Sequence, residues 1–237
     1  METEFLLHNK RITAQYIADY KDQFEKTADE VKKLVSILLD KGLEYAADYT
    51  ASNPVLVYKK GDKVPQQYKS LGKLICSAID SHAGKASVIE ADKFIVFRKD
   101  NYHCRYTGIK LITHPLIELL SYILPLHFPY SNPPHGSDIG EKNTHLLVWV
   151  LWPSADHIVP VRRGGRNEMN NYITSSSKFN VFKGKSLNQD LGIEIKTIKD
   201  ANWYGLEQEY LLLFEKYKHL IPLKRLKKFV SWNKAMS

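Results

Sequence analysis

Apolar residues recur at helical spacing near the start of the chain. One such run follows Thr27-Ala28-Asp29-Glu30, which has the capping-box pattern of Thr at the cap and Glu three residues later. The apolar positions of this run are Val31, Leu34, Val35, Leu38 and Leu39. Ser52-Asn53-Pro54 and Lys60-Gly61-Asp62 mark turns, and a second helix is predicted over Gln66–His82. Residues 1–92 are therefore predicted to form a helical region.

The pattern changes to short apolar or β-branched runs in the middle of the chain. Phe94-Ile95-Val96-Phe97 is predicted as a short strand, Trp149–Pro160 as a second and Asn171–Thr174 as a third. Gly164-Gly165 indicates a flexible loop between the last two strands. The serines that follow offer N-caps to a helix over about 177–183. The predicted order is thus strand, loop, strand, helix.

The end of the chain is predicted to be helical and is strongly basic. One helix is predicted over Tyr204–Lys218, and another begins near Pro222, a residue suited to a first helical position. From Lys216 to Ser237 there are seven Lys or Arg residues and no acidic residue. Residues 191–237 therefore form a basic helical region, which is either a solvated helix surface or a phosphate-contacting one.

Composition limits the class of protein. With 43% hydrophobic and 11% aromatic residues, the 237-residue chain can bury a sizeable core. Its formal net charge of +8 favours a polyanionic partner, either nucleic acid or an acidic membrane surface. No apolar run is long enough to span a bilayer, and the N-terminus lacks the pattern of a signal peptide. Two cysteines do not make a disulfide framework, so a cytoplasmic location without membrane association is expected.

The segment from Ser154 to Lys185 contains the groups that phosphodiester cleavage requires. Asp156 and His157 are adjacent, Asn171 follows His157 by fourteen positions, and Asn180 comes nine positions later. Mg²⁺ prefers oxygen ligands, so Asp156 and Asn180 are a plausible pair of ligands. His157 is a plausible general base because an unperturbed imidazole has a pKa near 6.5. Neighbours on a strand point to opposite faces, so Asp156 and His157 would approach the reaction from different directions.

These residues resemble the HNH, or ββα-metal, nuclease motif. Asp156-His157-Ile158-Val159-Pro160 is similar to its first strand, Gly164-Gly165 to its connecting loop, Asn171 to its middle position and Asn180 to its third position on the helix. The resemblance implies an α+β fold with a ββα-metal core over residues 93–190, interrupted by an insertion at 110–150 and embedded in a mostly helical protein.

The resemblance also implies a role for each residue of the motif. Asp156 and Asn180 would hold one divalent cation, Mg²⁺ or another such as Mn²⁺. His157 would activate the water, and Asn171 would complete the catalytic set by orienting the histidine. Residues 1–92 would be a scaffold or would recognise DNA.

The chain departs from the zinc-stapled members of this family. Tyr102–Gly108 resembles their Cys-x-x-Cys-Gly knuckle, but Thr107 replaces the second cysteine, and Ser176 and Phe179 stand at the later pair. One thiolate cannot form a tetrahedral zinc site, so a structural zinc is not expected. Cys104 is predicted to be a buried remnant, and packing would have to hold the site together.

The resemblance implies a metal-dependent endonuclease acting on double-stranded DNA, and a sequence-specific type II restriction enzyme fits this chain best. Homing and phage-defence nucleases are alternatives, and a non-catalytic DNA-binding protein on the same scaffold is an alternative of another class. A double-strand break by a site that cuts one strand predicts a homodimer or sequential nicking. Residues predicted to contact the DNA backbone are Arg162, Arg163, Arg166, Lys183 and Lys185.

Overall fold

The computed structural model describes residues 2–58, 88–130, 144–200 and 202–237. These residues form mostly helices and one two-stranded antiparallel sheet, so the fold is α+β as predicted. The predicted turn at Lys60-Gly61-Asp62 and the predicted helix over Gln66–His82 lie outside the described residues. Within the described parts of the chain, no helix has both the length and the apolar character needed to cross a membrane.

The elements are numbered in chain order. The helices that precede the sheet are α1 (Glu2–Phe24), α2 (Thr27–Asp40), α3 (Leu43–Ser52), α4 (Glu90–Lys99), α5 (His114–Ile123) and α6 (Leu146–Leu151). The strands are β1 (Pro153–His157) and β2 (Tyr172–Ser176). The later helices are α7 (Ser177–Lys183), α8 (Asn188–Leu191), α9 (Glu207–Tyr217) and α10 (Leu223–Met236). Short 3-10 turns occupy Val161–Arg163, Met169–Asn171 and Lys218–Leu220.

The chain folds into two compact units, and each is assembled from separate stretches of sequence. The first unit combines the described residues of Met1–Glu25, Val64–Lys110 and Pro153–Trp203. The second combines those of Lys26–Lys63, Leu111–Trp152 and Tyr204–Ser237. This division differs from the three consecutive regions expected from the sequence, because residues distant in sequence share a core in each unit.

A ribbon of two strands lies at the centre of the first unit. β1 and β2 pair antiparallel with Ala155 opposite Thr174 and His157 opposite Tyr172. Helices α4 and α7 both pack against the two strands. The Thr174 hydroxyl donates to the Val96 carbonyl of α4 at 3.1 Å, whereas α7 contacts the opposite face through Ser154. The ribbon is therefore covered on both faces, which explains why all of β2 is buried.

The segment predicted as a first strand, Phe94–Phe97, belongs instead to helix α4. Its apolar run is too short for periodicity to separate a strand from a helix. The flanking charges favour the helix, with Glu90 and Asp92 in the first turn and Arg98 and Lys99 in the last. Phe94, Val96 and Phe97 are buried, whereas the intervening Ile95 is exposed.

The predicted strands of the motif are shorter or shifted in the structure. The sequence predicts an extended segment over Trp149–Pro160, but its first residues are the last ones of helix α6. This helix begins after His145, whose ring accepts a hydrogen bond from the Leu147 amide at 3.1 Å. Strand β2 begins at Tyr172, one residue later than the predicted strand over Asn171–Thr174. The helix over 177–183 is confirmed, and its predicted serine cap is Ser176, whose hydroxyl accepts from the Phe179 amide at 3.1 Å.

Helices α2, α3, α5, α6, α9 and α10 build the second unit. The predicted apolar face of α2 is confirmed at Val31, Leu34, Val35 and Leu38, all of them buried. The predicted capping box is wrong because the helix begins at Thr27 itself. The Thr27 hydroxyl is buried and has no hydrogen-bond partner among the described residues.

The basic C-terminal segment of the second unit is partly used for internal contacts. The buried carboxylate of Glu118 on α5 pairs with Arg225 at 2.6 Å and with Lys228 at 2.8 Å, both on α10. Lys216 donates to the Leu38 and Leu39 carbonyls of α2, a favourable place for a cation near a helix C-terminus. The exposed cations of α10 are Lys224, Lys227 and Lys234.

Candidate active site

The β1–β2 ribbon brings the separate parts of the sequence motif together. β1 ends at His157, and the Ile158 amide next to it donates to the Asn171 carbonyl at 2.9 Å. Helix α7 follows β2 directly and returns across the ribbon. Residues that are far apart in sequence therefore meet at one end of the ribbon.

The two predicted metal ligands lie on the same face of β1. The Asn180 amide nitrogen donates to the Ser154 hydroxyl at 2.7 Å. Ser154 and Asp156 are two positions apart on a strand, so their side chains share a face. Asn180 is therefore opposite Ser154 and beside Asp156, and its amide oxygen is the atom available to a cation.

The Asp156 carboxylate already has two partners, both at the same oxygen. The Tyr106 hydroxyl donates to Oδ2 at 2.7 Å, and the Lys183 ammonium lies 2.9 Å from that atom. The ammonium also donates to the His157 carbonyl at 2.8 Å. Lys183 is fully buried. The prediction that Lys183 contacts a DNA phosphate does not fit this arrangement, because its charge is enclosed and paired.

Tyr106 remains a neutral hydrogen-bond donor at Asp156. Burial, the nearby Asp156 charge and the hydrogen bond to Asp156 all raise the pKa of the Tyr106 phenol far above its usual value. A phenol that keeps its proton can only donate to the carboxylate. Tyr106 and Lys183 together hold Asp156 in one orientation.

His157 occupies the opposite face at the end of β1. Its Nε2 lies 2.8 Å from the Asn167 side-chain oxygen, and its ring packs edge-on against Tyr172 with centroids 4.9 Å apart. An amide oxygen can only accept a hydrogen bond, so this contact requires the tautomer with the proton on Nε2, which leaves Nδ1 as the nitrogen able to act as a base. The tautomer suits a base that acts through Nδ1.

Asn171 closes the loop that joins the two strands. Its side-chain oxygen accepts from the Val159 amide at 2.9 Å, and its nitrogen donates to the carbonyls of Val159 and Arg166 at 3.0 and 2.9 Å. These bonds hold Val159, which follows β1, and Arg166, which directly precedes Asn167. Asn171 thus acts on His157 through the loop rather than by direct contact.

Both glycines of the Gly164-Gly165 pair are hydrogen-bonded within this loop, and Gly165 is closely packed whereas Gly164 is exposed. The Gly164 amide bonds to Val161 and the Gly165 amide to Pro160, both at 3.1 Å. A Cβ on Gly165 would lie 1.7 Å from the Val159 carbonyl oxygen. The close backbone approach requires glycine at this position.

The four other residues predicted to contact DNA differ in their exposure and in their ion pairs. Arg162 is exposed, and Arg166 is exposed with a 3.5 Å pair to Glu168. Arg163 is half-buried and lies 3.7 Å from Asp190. Lys185 is half-buried beyond the end of α7. Surface pairs of this kind are weak, so these four side chains can still turn toward a polyanion.

Hydrogen bonds hold the turn around Cys104, which resembles a zinc knuckle in sequence, to the ribbon. Cys104 is a buried free cysteine, as predicted. Its neighbour Arg105 pairs with Asp100 at 2.5 Å, and the Arg105 amide donates to the Thr174 carbonyl at 2.9 Å. Asp100 accepts from the Thr174 amide at 2.7 Å. This network joins the turn to β2.

Aromatic packing occupies the positions where a second cysteine pair would stand. The Ser176 hydroxyl bonds to the Tyr20 hydroxyl of α1 at 2.8 Å. Phe179 lies between the rings of Tyr16 and Tyr106, at centroid distances of 5.8 and 5.3 Å. Helix α1 therefore braces α7, and with it Asn180.

The donor chemistry of the site fits a hard cation. Oxygen donors are present on one face of the ribbon, at Ser154, Asp156 and Asn180. The Lys183 ammonium shows that a positive charge is already accommodated beside Asp156. Over the described residues, no group of three or more His, Cys, Asp or Glu side chains forms a metal cluster. A divalent cation here would rely on one carboxylate, neutral oxygens and water.

Three contributors to the site were missed by sequence reasoning. Ser154 could have been found, because alternation puts it on the face of Asp156. Asn167 is one of several asparagines in a polar loop, and nothing in the pattern singled it out. Tyr106 lies fifty positions before Asp156, and the sequence carries no signal of their contact.

Comparisons of the chain with family models, with curated proteins and with solved structures gave no match.

Proposed function

We propose that the chain is a metal-dependent endonuclease that hydrolyses phosphodiester bonds of double-stranded DNA on an HNH-type core. The observation that carries the proposal is the role of Asn171, whose side chain makes three hydrogen bonds that close the loop between the strands. That loop presents Asn167 to His157. A purely structural loop would not need to orient a histidine at the end of a strand.

The proposed metal ligands are Asp156 and Asn180. A divalent cation held there supplies stabilisation of the negative charge that develops at phosphorus and on the leaving oxygen. Tyr106 and Ser154 orient the two ligands by the hydrogen bonds described above.

The proposed general base is His157. Nδ1 takes a proton from the attacking water while Nε2–H remains bonded to Asn167. The water oxygen forms a bond to phosphorus and the bond to the 3′ oxygen breaks, which leaves a 5′-phosphate and a 3′-hydroxyl. Arg162 and Arg166 lie on the same loop as Asn167, so phosphates held by them would be near the base.

The biological role that we propose is that of a sequence-specific type II restriction enzyme. One such site cuts one strand, so a double-strand break calls for a homodimer or for two successive nicks. Incubation of supercoiled plasmid and phage DNA with Mg²⁺, Mn²⁺ or Ni²⁺ tests the activity. Discrete fragments support a restriction enzyme, with homing enzymes giving rarer cuts, whereas a smear indicates a non-specific nuclease.

The catalytic assignment is tested by His157→Ala beside the exposed control His8→Ala. We expect the first variant to cut at least about 100-fold more slowly, since a general base contributes a factor of this order. His8→Ala should match the unmodified protein. Equal cleavage rates for His157→Ala and the unmodified protein would contradict the role of His157.

A second candidate function is a non-catalytic DNA-binding protein on the same scaffold. The observation that favours it is the Lys183 ammonium, which already neutralises Asp156 at 2.9 Å. DNA binding without cleavage under any of the three metals would select this candidate and exclude the nuclease.

A further inference from the structure

The Lys183 side chain is the most unusual charged group of the described chain. It is fully buried, yet α7 ends at this residue and Val181, two positions earlier, is exposed. Burying an ammonium without a partner is highly unfavourable, so its position depends on the oxygens that it contacts. Those oxygens belong to Asp156 and to the His157 backbone, at 2.9 and 2.8 Å.

The contacts of this ammonium are those that a hard cation would make. It lies against a carboxylate oxygen and a carbonyl oxygen, and it is one helical turn after Asn180, the second proposed metal ligand. The helix also favours positive charge in its last turn. The same oxygens cannot be shared closely by an ammonium and a divalent cation, because the two positive charges repel each other at short range.

We propose that Lys183 is the built-in counter-cation of Asp156 and competes with the divalent cation for it. This inference rests on the proposed metal site. Metal binding then requires the ammonium to withdraw from Asp156, and the affinity of the protein for metal is lower than its oxygen donors alone would give. In the absence of metal, Lys183 keeps the acidic site folded.

The test compares Lys183→Met with the unmodified protein by Mn²⁺ calorimetry. Methionine keeps most of the apolar stem and removes the charge. We expect Lys183→Met to bind Mn²⁺ at least about tenfold more tightly, and its thermal unfolding to shift upward with Mn²⁺ more than that of the unmodified protein. Lys185→Met removes the same net charge from a half-buried neighbour and should bind Mn²⁺ like the unmodified protein. Equal Mn²⁺ affinity in all three proteins would overturn the proposal.

A measurement on the unmodified protein covers the case in which Lys183→Met does not fold. NMR detects a buried lysine ammonium through slowly exchanging Nζ protons. We expect the Lys183 Nζ signals to be lost or strongly shifted as Mg²⁺ saturates the protein. Unchanged signals in a protein that binds Mg²⁺, or no Mg²⁺ binding at all, would refute the competition.

DNA cleavage by the same samples separates this inference from the proposed function. Cleavage by the unmodified protein together with unaltered Mn²⁺ affinity in Lys183→Met would reject the inference alone. Tighter Mn²⁺ binding by Lys183→Met without cleavage by either protein would reject the nuclease and keep the inference.

Discussion

Asn171 shows how one side chain can control a site that it does not touch. Both of its polar atoms are used to hold Val159 and Arg166, and Arg166 directly precedes Asn167. The loop in turn sets the tautomer and the orientation of His157. Asn171 is thus a positioning residue in the proposed reaction. Its replacement should lower the DNA cleavage rate more than the stability of the fold.

Asn171→Ala should lower the DNA cleavage rate by about 10–100-fold, the usual cost of losing a group that orients a catalytic residue. The matched control is Asn170→Ala, because Asn170 is the exposed neighbour in the same turn. Cleavage rates at saturating metal, with circular dichroism to confirm folding, provide the measurement. A fall of the same size in Asn170→Ala would mean that the turn, not the side chain of Asn171, is responsible.

At the scale of elements, helices α2 and α3 of the second unit are joined by one carboxylate. Glu30 on α2 accepts hydrogen bonds from Lys33, Tyr49 and Asn53, at 2.6, 2.6 and 2.7 Å. The bond from Lys33 and then those from Tyr49 and Asn53 lower the pKa of the Glu30 carboxyl to about 2, against the opposing effect of burial. The ionised form is therefore favoured in the folded protein.

The stabilisation from Glu30 is present above the unfolded pKa of about 4.3 and is lost as the pH falls toward 2. We expect Glu30→Gln to remove this part of the acid dependence and to lower the unfolding free energy at pH 7 by about 1 kcal/mol, since Lys33 is largely solvated. Urea unfolding between pH 7 and 2 measures both. Glu44→Gln, an exposed glutamate on α3, is the control. An acid dependence unchanged in Glu30→Gln would contradict the assignment.

At the scale of the whole molecule, the net charge of +8 gives a general attraction to polyanions, but only certain cations are placed to use it. Lys183 is buried and paired with Asp156, and Arg225 and Lys228 form ion pairs with Glu118. Arg162 and Arg166 remain exposed on the loop beside His157. DNA bound for cleavage should therefore engage this loop.

Removing Arg162 and Arg166 together should reduce the slope of log affinity for DNA against log salt concentration by about 2, since each phosphate contact contributes about 0.9. The control is Lys32→Ala with Lys41→Ala, which removes two exposed charges from the second unit. Fluorescence anisotropy at several salt concentrations gives the slopes. An equal reduction by the control would show that net charge, rather than the loop, determines binding.

The sequence by itself determined the local order of the motif region and the apolar face of α2. The strand, loop, strand, helix order follows from β-branched residues, paired glycines and a serine cap, all of them local signals. Local signals failed at Phe94–Phe97, because a short apolar run is compatible with a buried strand and with a buried helix. The packing of α4 against both strands, together with the charges at the two ends of the helix, decided that case.

Only the tertiary structure decided what surrounds Asp156 and what holds the site together. Tyr106 reaches Asp156 across fifty positions of sequence, and Tyr20 of α1 reaches Ser176 across 156. Lys183 is predicted from the sequence to contact the DNA backbone, whereas in the structure it is a buried counter-charge because α7 folds back over β1. Spacing along the chain specifies which groups are close on one element, whereas the partners of a buried charge depend on contacts between elements that are distant in sequence.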